Sequence, residues 1–193
     1  AGKTTLMNIL YGLLQPDHGE ILIRGEKVNI HSPKDAIALG IGMVHQHFML
    51  VPTLTVAENI ILGHEKVRGP FLKRGEATEI IKKLSKDYCL EVSPNRPLWQ
   101  LSVGEQQRVE ILKVLYRGAD ILVLDEPTAS LTPRETEAFF NILQSLVTGG
   151  KSVIFISHKL EEVMQISSRI SVLRRGKVVG TVGRDETTDK DLA

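Results

Sequence analysis

Cysteine is almost absent from this sequence, since Cys89 is a single thiol among 193 residues. It cannot form an internal disulfide, which is typical of proteins from a reducing compartment. Basic and acidic side chains nearly cancel to a formal net charge of +1, so no broad basic field is available for nucleic acid. No run of 18 apolar residues and no signal-peptide pattern is present. We therefore expect neither a membrane span nor export by the usual route.

The remaining composition is that of an ordinary globular domain. Hydrophobic residues make up 42% of the chain and charged residues 24%. Together with the length, these values fit one domain with a sizeable core. No internal repeat or low-complexity segment interrupts the sequence.

Two adjacent carboxylates follow an uninterrupted apolar run. The run Ile121 to Leu124 predicts a strand buried on both faces of a parallel sheet, and Asp125 and Glu126 come directly after it. Open α/β sheets bind ligands at the carboxyl ends of such strands, where one carboxylate can hold Mg²⁺ while its neighbour handles a water. The alternative is that both side chains only cap the next turn.

The segment Ser102 to Glu105 reads S-x-x-E, a capping box that starts a helix. We expect this helix to run to about Tyr116 and to pack on a core. Its first turn offers a hydroxyl, the small Gly104 and unpaired backbone N–H groups, which together favour an anion. A second box, from Thr132 to Glu135, predicts a helix to about Val147.

The first five residues match the end of the phosphate-loop pattern G-x-x-x-x-G-K-[ST]. In that pattern Gly2 offers backbone N–H groups to phosphate, Lys3 reaches the β- and γ-phosphates, and the Thr4 hydroxyl can ligate Mg²⁺. We expect the sequence to begin inside the motif, after a strand that would pair beside the Ile121 strand. We expect such a fragment to be inactive by itself. A helix should follow, with one apolar face formed by Leu6, Ile9, Leu10 and Leu13.

Further periodic segments predict the remaining elements. Strands are expected over 20–24, 27–30, 41–44, 152–156, 169–174 and 177–182, with the two-residue links after 24 and 174 making hairpins. Helices are expected over 33–39, 56–62 with Thr55 as its cap, and 74–90, while Lys66 to Pro70 is expected to be a polar break.

Histidine stands at two predicted strand ends. His45, Gln46 and His47 follow the strand over 41–44, and His158 follows the strand over 152–156. The pair His45 and His47 could ligate a metal, although a zinc site usually has three or four ligands. A lone histidine such as His158 is either a structural residue or part of the site at the carboxyl edge.

The order and spacing of these motifs resemble the ATP-binding cassette (ABC) transporter ATPases over the whole chain. The resemblance rests on Ala1 to Thr5 as the end of Walker A, Gln46 as the Q-loop, LSVGEQQ as the signature, Asp125-Glu126 as Walker B, and His158 as the H-loop. It implies an α/β fold of the P-loop NTPase (RecA-like) type, with a mostly parallel sheet core, an inserted helical subdomain and edge β-hairpins. It implies one domain over 1–193, with the core at about 1–62 and 119–193 and the helical subdomain at about 63–118.

The resemblance also implies ATP as cofactor with Mg²⁺, and an ATPase activity. Gly2, Lys3, Thr4 and Thr5 would bind the nucleotide, together with Ser102, Gly104 and Gln106 acting on the nucleotide of an opposite cassette. The metal would lie against Thr4, Gln46 and Asp125. The catalytic residues would be Glu126, which polarises the water, His158 and Gln46.

The expected partners follow from the same resemblance. They are a second cassette, the permease subunits in the membrane and, indirectly, an extracytoplasmic solute-binding protein, with no nucleic acid. The expected location is the cytoplasmic face of the cell membrane, as a peripheral subunit. Phe48, Met49 and Leu50 are either core residues or part of the groove that receives a permease helix.

Three residues depart from the usual family pattern. Val103 and Glu105 stand in the signature in place of glycine and glutamine, and Thr132 stands in place of the aspartate after Walker B. Glu105 would place a carboxylate near a phosphate site. With these departures the sequence resembles the first cassette of tandem importers for simple sugars and nucleosides, with the nucleoside branch favoured. The alternative is a non-transport cassette ATPase acting on nucleic acid or ribosomes.

Overall fold

The computed structural model describes residues 2–46, 48–64, 67–68, 71–72 and 74–192. Its centre is a parallel sheet in the order β3-β6-β7, formed by Ile41–Val44, Ile121–Asp125 and Ser152–Ile156. The central strand β6 pairs with β3 on one edge and with β7 on the other. A strand has only two edges, so the expectation of a further strand beside β6 is wrong.

Helices cover both faces of this sheet. Side chains alternate between the two faces along each strand, and those of β6 are apolar on both. Leu122 and Leu124 of β6 pack on one face, in a cluster with Leu112 and Leu143 of the helices described below. Val123 points to the other face and packs with Met7. All three β6 side chains are fully buried. The continuous apolar run was therefore a correct indication of a doubly covered parallel strand.

On the first of these faces lie the helices α3 (Val56–Ile61), α4 (Arg74–Asp87), α5 (Val103–Tyr116) and α6 (Pro133–Thr148). Capping boxes at Ser102 and Thr132 start α5 and α6, as the sequence predicts. Thr55 caps α3 as predicted, and there too the box is complete. Both α3 and α4 pack against α5. The division of the chain into core and helical subdomain stays a prediction.

On the opposite face lie α1 (Lys3–Leu10) and α2 (Pro33–Ala38). The apolar face predicted for the first helix is confirmed at Leu10, which packs against the core, and wrong at Leu6 and Leu13, which are 45% and 49% exposed. Met7 and Tyr11 are buried instead. Leu13 leaves the predicted face because α1 ends at Leu10 and Gly12, with a positive φ of 77°, turns the chain. A side chain at Gly12 would meet the Ser32 carbonyl carbon at 2.5 Å.

Antiparallel hairpins lie outside the parallel sheet. They are β1–β2 (Ile21–Ile23, Glu26–Val28), β4–β5 (Val67–Arg68, Phe71–Leu72) and β8–β9 (Arg169–Arg174, Lys177–Gly183). The first and last are confirmed predictions, while β4–β5 replaces the expected polar break. The sequence also gave no indication of α7 (Leu160–Ile166) or α8 (Asp189–Leu192). In the described ranges, no helix combines the length and the apolar character needed to cross a bilayer.

Candidate functional site

Glu126 and His158 meet at the carboxyl edge of the sheet. The Nδ1 atom of His158 lies 3.0 Å from Oε1 of Glu126. The two residues follow the neighbouring parallel strands β6 and β7, which brings their chain positions, 32 residues apart, to the same edge. The sequence predicted this shared edge correctly.

The backbone of Glu126 adopts an uncommon conformation. Its φ is 47°, in the left-handed region that residues other than glycine rarely occupy. Its N–H group donates a 2.9 Å hydrogen bond to the carbonyl of Ile156. Such conformations persist where the surrounding structure fixes them, and they cluster at functional sites. The backbone conformation of Glu126 and the contact with His158 therefore both position its carboxylate.

Lys3 joins the first helix to the same edge. Its Nζ atom donates a 3.0 Å hydrogen bond to the carbonyl of Ser157, the residue directly before His158. Gly2 caps α1 with a left-handed φ of 90°, and Thr4 and Thr5 in the first turn are exposed. The first turn of α1 thus presents its N–H groups, two hydroxyls and an ammonium beside the loop that carries His158.

Asp125 is a buried carboxylate without a protein partner in the part of the chain that the structure describes. Its residue is 5% exposed, and no hydrogen bond or ion pair from a described residue reaches it. A carboxylate that stands at a strand end without a described protein partner is available to a cation. The hydroxyl of Thr4, the amide oxygen of Gln46 and this carboxylate are the oxygen ligands that Mg²⁺ prefers.

Gln46 follows β3, so it stands at the same edge as Asp125, and its side chain is exposed. The alternative metal pair cannot be placed, because His47 lies outside the described residues. His45 packs edge-on against the ring of Tyr11 at 6.1 Å. Across the described ranges, no group of three His, Cys, Asp or Glu side chains could hold a metal.

The signature segment begins α5 with its capping box complete. Ser102 accepts the N–H of Glu105, and the Glu105 carboxylate accepts the N–H of Ser102 at 2.8 Å. The second oxygen of Glu105 is paired with Arg96 at 2.7 Å. The Ser102 N–H, and then the Arg96 guanidinium, hold the pKa of Glu105 below its usual value. The extra carboxylate of this signature is therefore turned back into its own helix and paired with a cation.

Gln106 and Gly104 have local partners as well. The amide of Gln106 donates to the Leu101 carbonyl at 3.1 Å. At Gly104 a side chain would meet Oε1 of Glu135 at 3.0 Å, and the N–H groups of Thr132 and Gly104 both help to lower the pKa of Glu135. The Thr132 departure thus serves as the cap of α6, where the Glu135 carboxylate accepts the Thr132 N–H at 2.9 Å.

Two buried residues in this region were missed by the sequence analysis. Gln107 donates a 2.7 Å hydrogen bond to the carbonyl of Pro127, and Glu162 accepts one from the hydroxyl of Thr128. Both fix the loop after Glu126. Gln107 lies inside the signature segment, but Glu162 belongs to α7, which the sequence did not reveal. The structure groups Lys3, Asp125, Glu126 and His158 at one edge, whereas no hydrogen bond within the described residues joins Ser102 or Gly104 to them.

A helix-covered parallel sheet with these groups at its carboxyl edge has the architecture of a P-loop NTPase, which is α/β. A family pattern described as "ABC transporter" matches residues 1–129. The chain belongs to the ABC transporter family, whose cassettes bind nucleotide.

Curated relatives align with the whole chain. The nucleoside import ATP-binding protein NupA of Lactococcus lactis subsp. cremoris and the guanosine import ATP-binding protein NupO of Bacillus subtilis are each 54% identical over 193 residues. The glucose import ATP-binding protein TsgD13 of Haloferax volcanii is 45% identical over 221 aligned positions. In each case 100% of this chain is covered. The chain spans 38% of the length of NupA and NupO and 40% of that of TsgD13.

Solved structures give the same fold. A nucleotide-free ATP-binding cassette from an ABC transporter superposes with a TM-score of 0.83 at 24% sequence identity. The alignment covers 94% of this chain and 76% of that one. The likeness confirms the α/β architecture that the motifs predict.

Proposed function

We propose that this chain is the ATP-binding and ATP-hydrolysing cassette of an importer, and that it energises uptake of nucleosides through a membrane permease. The contact between Glu126 and His158 at 3.0 Å carries the proposal. It places a carboxylate and an imidazole together at the sheet edge, beside the Lys3 ammonium. Water attack on a terminal phosphate uses a group that orients the water and cations that neutralise the phosphates, and Glu126 and Lys3 fit these two roles.

In this proposal the phosphates lie at the first turn of α1. The N–H groups of that turn and the Lys3 ammonium bind the phosphate oxygens, and Gly2 permits their close approach. Mg²⁺, when bound with the nucleotide, neutralises charge that develops on the phosphates. Thr4, Gln46 and Asp125 would hold it, and the place of Asp125 at the end of β6, without a described protein partner, supports that assignment.

Glu126 is the group that polarises the attacking water. Its Oε1 atom accepts from the imidazole of His158 when Nδ1 carries the proton, which leaves Oε2 for the water. His158 has a side chain that is 64% exposed, so its second ring nitrogen is open to the nucleotide. Gln46 would orient the same water from the end of β3.

The signature of α5 would serve the nucleotide of a second cassette. Ser102 is exposed, and the first turn of α5 has the positive dipole end that favours phosphate. In the chain alone the N–H of Glu105 is bonded to Ser102 and that of Gly104 to Glu135, so a phosphate would take over these donors. The carboxylate of Glu105 is neutralised by Arg96 at 2.7 Å, so its repulsion of a phosphate is reduced. Hydrolysis would therefore require a pair of cassettes.

A permease would bind at the apolar surface that follows Gln46. Met49 is 66% exposed, whereas Leu50 packs against the core. Val51 and Leu62 are also exposed. Met49 therefore supports the interface alternative, and Leu50 the core alternative. Docking there would put the chain at the cytoplasmic face of the membrane, and a solute-binding protein would act through the permease.

The transported solute is assigned from the relatives. NupA and NupO, named for nucleoside and guanosine import, share 54% of aligned residues, against 45% for the glucose import protein. Simple sugars are the second candidate because of the latter. An ATPase acting on nucleic acid is disfavoured by the net charge of +1.

The test is transport in vesicles. The full-length protein that carries this chain is reconstituted with its permease and binding protein, and uptake of labelled guanosine is measured with and without internal Mg-ATP. We expect ATP-dependent uptake that unlabelled nucleosides compete and glucose does not. The Glu126→Gln variant is the matched control and should not transport. Uptake competed by glucose alone would reassign the substrate class, and hydrolysis stimulated by nucleic acid but not by the permease would contradict the proposal.

A further inference from the structure

Glu162 is a buried acidic residue that the proposed reaction does not use. It lies in α7 and is 9% exposed. Its Oε2 atom accepts the hydroxyl of Thr128 at 2.5 Å and the hydroxyl of Ser157 at 3.2 Å. Its Oε1 atom accepts the ammonium of Lys159 at 2.9 Å. A single carboxylate thus has three side-chain donors from two different loops.

These two loops are the ones that carry the proposed catalytic groups. Thr128 follows Glu126 by two residues, and Ser157 directly precedes His158. The hydroxyl of Ser157 also accepts the N–H of Lys159 at 3.1 Å, so the loop is closed around its hydrogen bond to Glu162. Oε2 of Glu162 therefore bridges the loop after β6 to the loop after β7.

Within the described residues, the side-chain links between the Glu126 loop and the His158 loop are this bridge and the direct contact of Glu126 with His158. Gln107 of α5 also holds this loop, through its bond to the Pro127 carbonyl. The Glu126 N–H bonds to Ile156 in the last position of β7. Glu126 holds a φ of 47°, a conformation that persists only where the surrounding contacts fix it.

We propose that Glu162 is a positioning residue, which fixes the separation of Glu126 and His158 by binding Thr128 and Ser157 together. The inference rests on the proposed function, since it acts through those two residues. Its buried charge is what the bridge needs: two hydroxyls and an ammonium all donate, and an ionised carboxylate accepts from each.

The ionisation state agrees with this role. Burial, the largest single effect, raises the pKa of Glu162. The hydrogen bonds from Thr128, Lys159 and Ser157 outweigh burial, so the pKa is lower than that of an ordinary glutamate. The side chain is therefore an acceptor at neutral pH.

The decisive variant is Glu162→Gln, which keeps the size of the side chain. A glutamine has one acceptor oxygen and an NH₂ group, and that NH₂ would face either two hydroxyl donors or the Lys159 ammonium. We expect kcat for ATP hydrolysis by the full-length protein to fall about 10- to 100-fold, the loss typical of slightly misplaced catalytic groups. KM for ATP should change less than about twofold, since the phosphate contacts are made by α1 and Lys3.

The matched control is Glu161→Gln. Glu161 precedes Glu162 in α7, carries the same charge and is exposed. It should leave kcat unchanged. Thr128→Val removes the same bridge from the other side without a change of charge, and it should reproduce the loss of kcat. It also serves as the test variant if Glu162→Gln does not fold.

A double-mutant cycle separates positioning from general stability. If Glu162 acts through His158, the double variant with His158→Ala should hydrolyse ATP no more slowly than His158→Ala alone. Losses that multiply, or wild-type kcat in both Glu162→Gln and Thr128→Val, would overturn the inference. Failure of the proposed function is a different result: the parent protein would then show no hydrolysis that Glu126→Gln removes.

Discussion

The side-chain amide of Gln107 donates a 2.7 Å hydrogen bond to the carbonyl of Pro127. This contact joins the signature helix α5 to the residue directly after Glu126. Gln107 is 1% exposed, so water cannot replace the bond if the amide is lost. The loop after β6 is therefore held by side chains of both α5 and α7.

Replacing Gln107 by leucine tests this connection. Gln107→Leu keeps the volume but leaves the Pro127 carbonyl without its donor, and an unsatisfied buried group costs about 1–3 kcal/mol. We expect the free energy of unfolding, measured with urea, to fall by that amount. Gln106→Leu is the comparison, because Gln106 is only half-buried and its bond is longer, at 3.1 Å. Equal losses in the two variants would show that the contact to Pro127 has no special weight.

The N-terminus of α5 provides a prediction about association. Ser102→Arg should abolish ATP-dependent pairing of cassettes, because a guanidinium would fill the proposed anion site. The helix itself should lose only its cap, worth about 1 kcal/mol. Sedimentation with ATP, in a Glu126→Gln background, measures pairing.

The control for this substitution is Ser32→Arg. Ser32 caps α2 in a similar way, by accepting the N–H of Asp35, and it has no part in the proposed site. It should cost similar stability and leave pairing intact. Undiminished pairing of Ser102→Arg would contradict the proposed role of Ser102 at the nucleotide of a second cassette.

The pH dependence of stability follows from several carboxylates with lowered pKa values. The pKa of Glu105 is lowered by the Ser102 N–H and by Arg96, and that of Asp120 by Lys151 and Arg24. Burial raises the pKa of Glu162, but its three hydrogen-bond donors outweigh burial and lower it. A carboxylate whose pKa is lowered on folding stabilises the fold at pH values above its unfolded-state pKa of about 4. That stabilisation is lost as the pH falls through the lower folded-state value.

We therefore expect the free energy of unfolding to stay level from pH 7 to about pH 5.5 and to fall steadily below about pH 5. Urea titrations at each pH measure it. Glu105→Gln should make the fall in stability less steep, because a glutamine does not titrate. It should leave the helix start intact, since glutamine at the third helical position still completes a capping box. Stability that rises on acidification would contradict the assigned ionisation states.

Gly42 provides a prediction about packing beside the site strand. It lies in β3 opposite Leu122, and an added Cβ would come within 2.7 Å of the Val114 Cβ and 2.9 Å of the Ala119 Cβ. Gly42→Ala should cost about 1–3 kcal/mol through overpacking. Gly180→Ala in β9 is the control, since nothing lies within 4 Å of its added carbon. Equal melting temperatures for the two variants would show that α5 can move away from the sheet.

Much of the fold could be predicted because its signals are local. Three S/T-x-x-E boxes start helices where the sequence places them, and the apolar run before Asp125 is a buried parallel strand. The order of the strands could not be obtained this way. Nothing in the residues of β6 says that β3 and β7 occupy its two edges.

The residues of the proposed site could be predicted from the sequence, but the side chains that hold them in position could not. The resemblance located Glu126 and His158, and their contact depends only on the parallel pairing of β6 with β7. Glu162 was missed because α7 lacks a side-chain cap that would indicate its start, and because the partners of Glu162 are brought to it by tertiary packing. The pairing of Glu105 with Arg96 spans a loop and a helix start, which no periodicity reveals.

The most direct test of the account is the rate of phosphate release by the full-length protein carrying Glu126→Gln. Glu126→Gln removes the proposed base and leaves Asp125, Lys3 and Thr4 in place. We predict that Mg-ATP binding, measured by equilibrium dialysis, is retained, while phosphate release falls about 10²- to 10⁴-fold. The control Glu137→Gln, at an exposed position of α6, should release phosphate at the parent rate. Turnover by Glu126→Gln within a few-fold of the parent would contradict the assignment of Glu126 and the mechanism built on it.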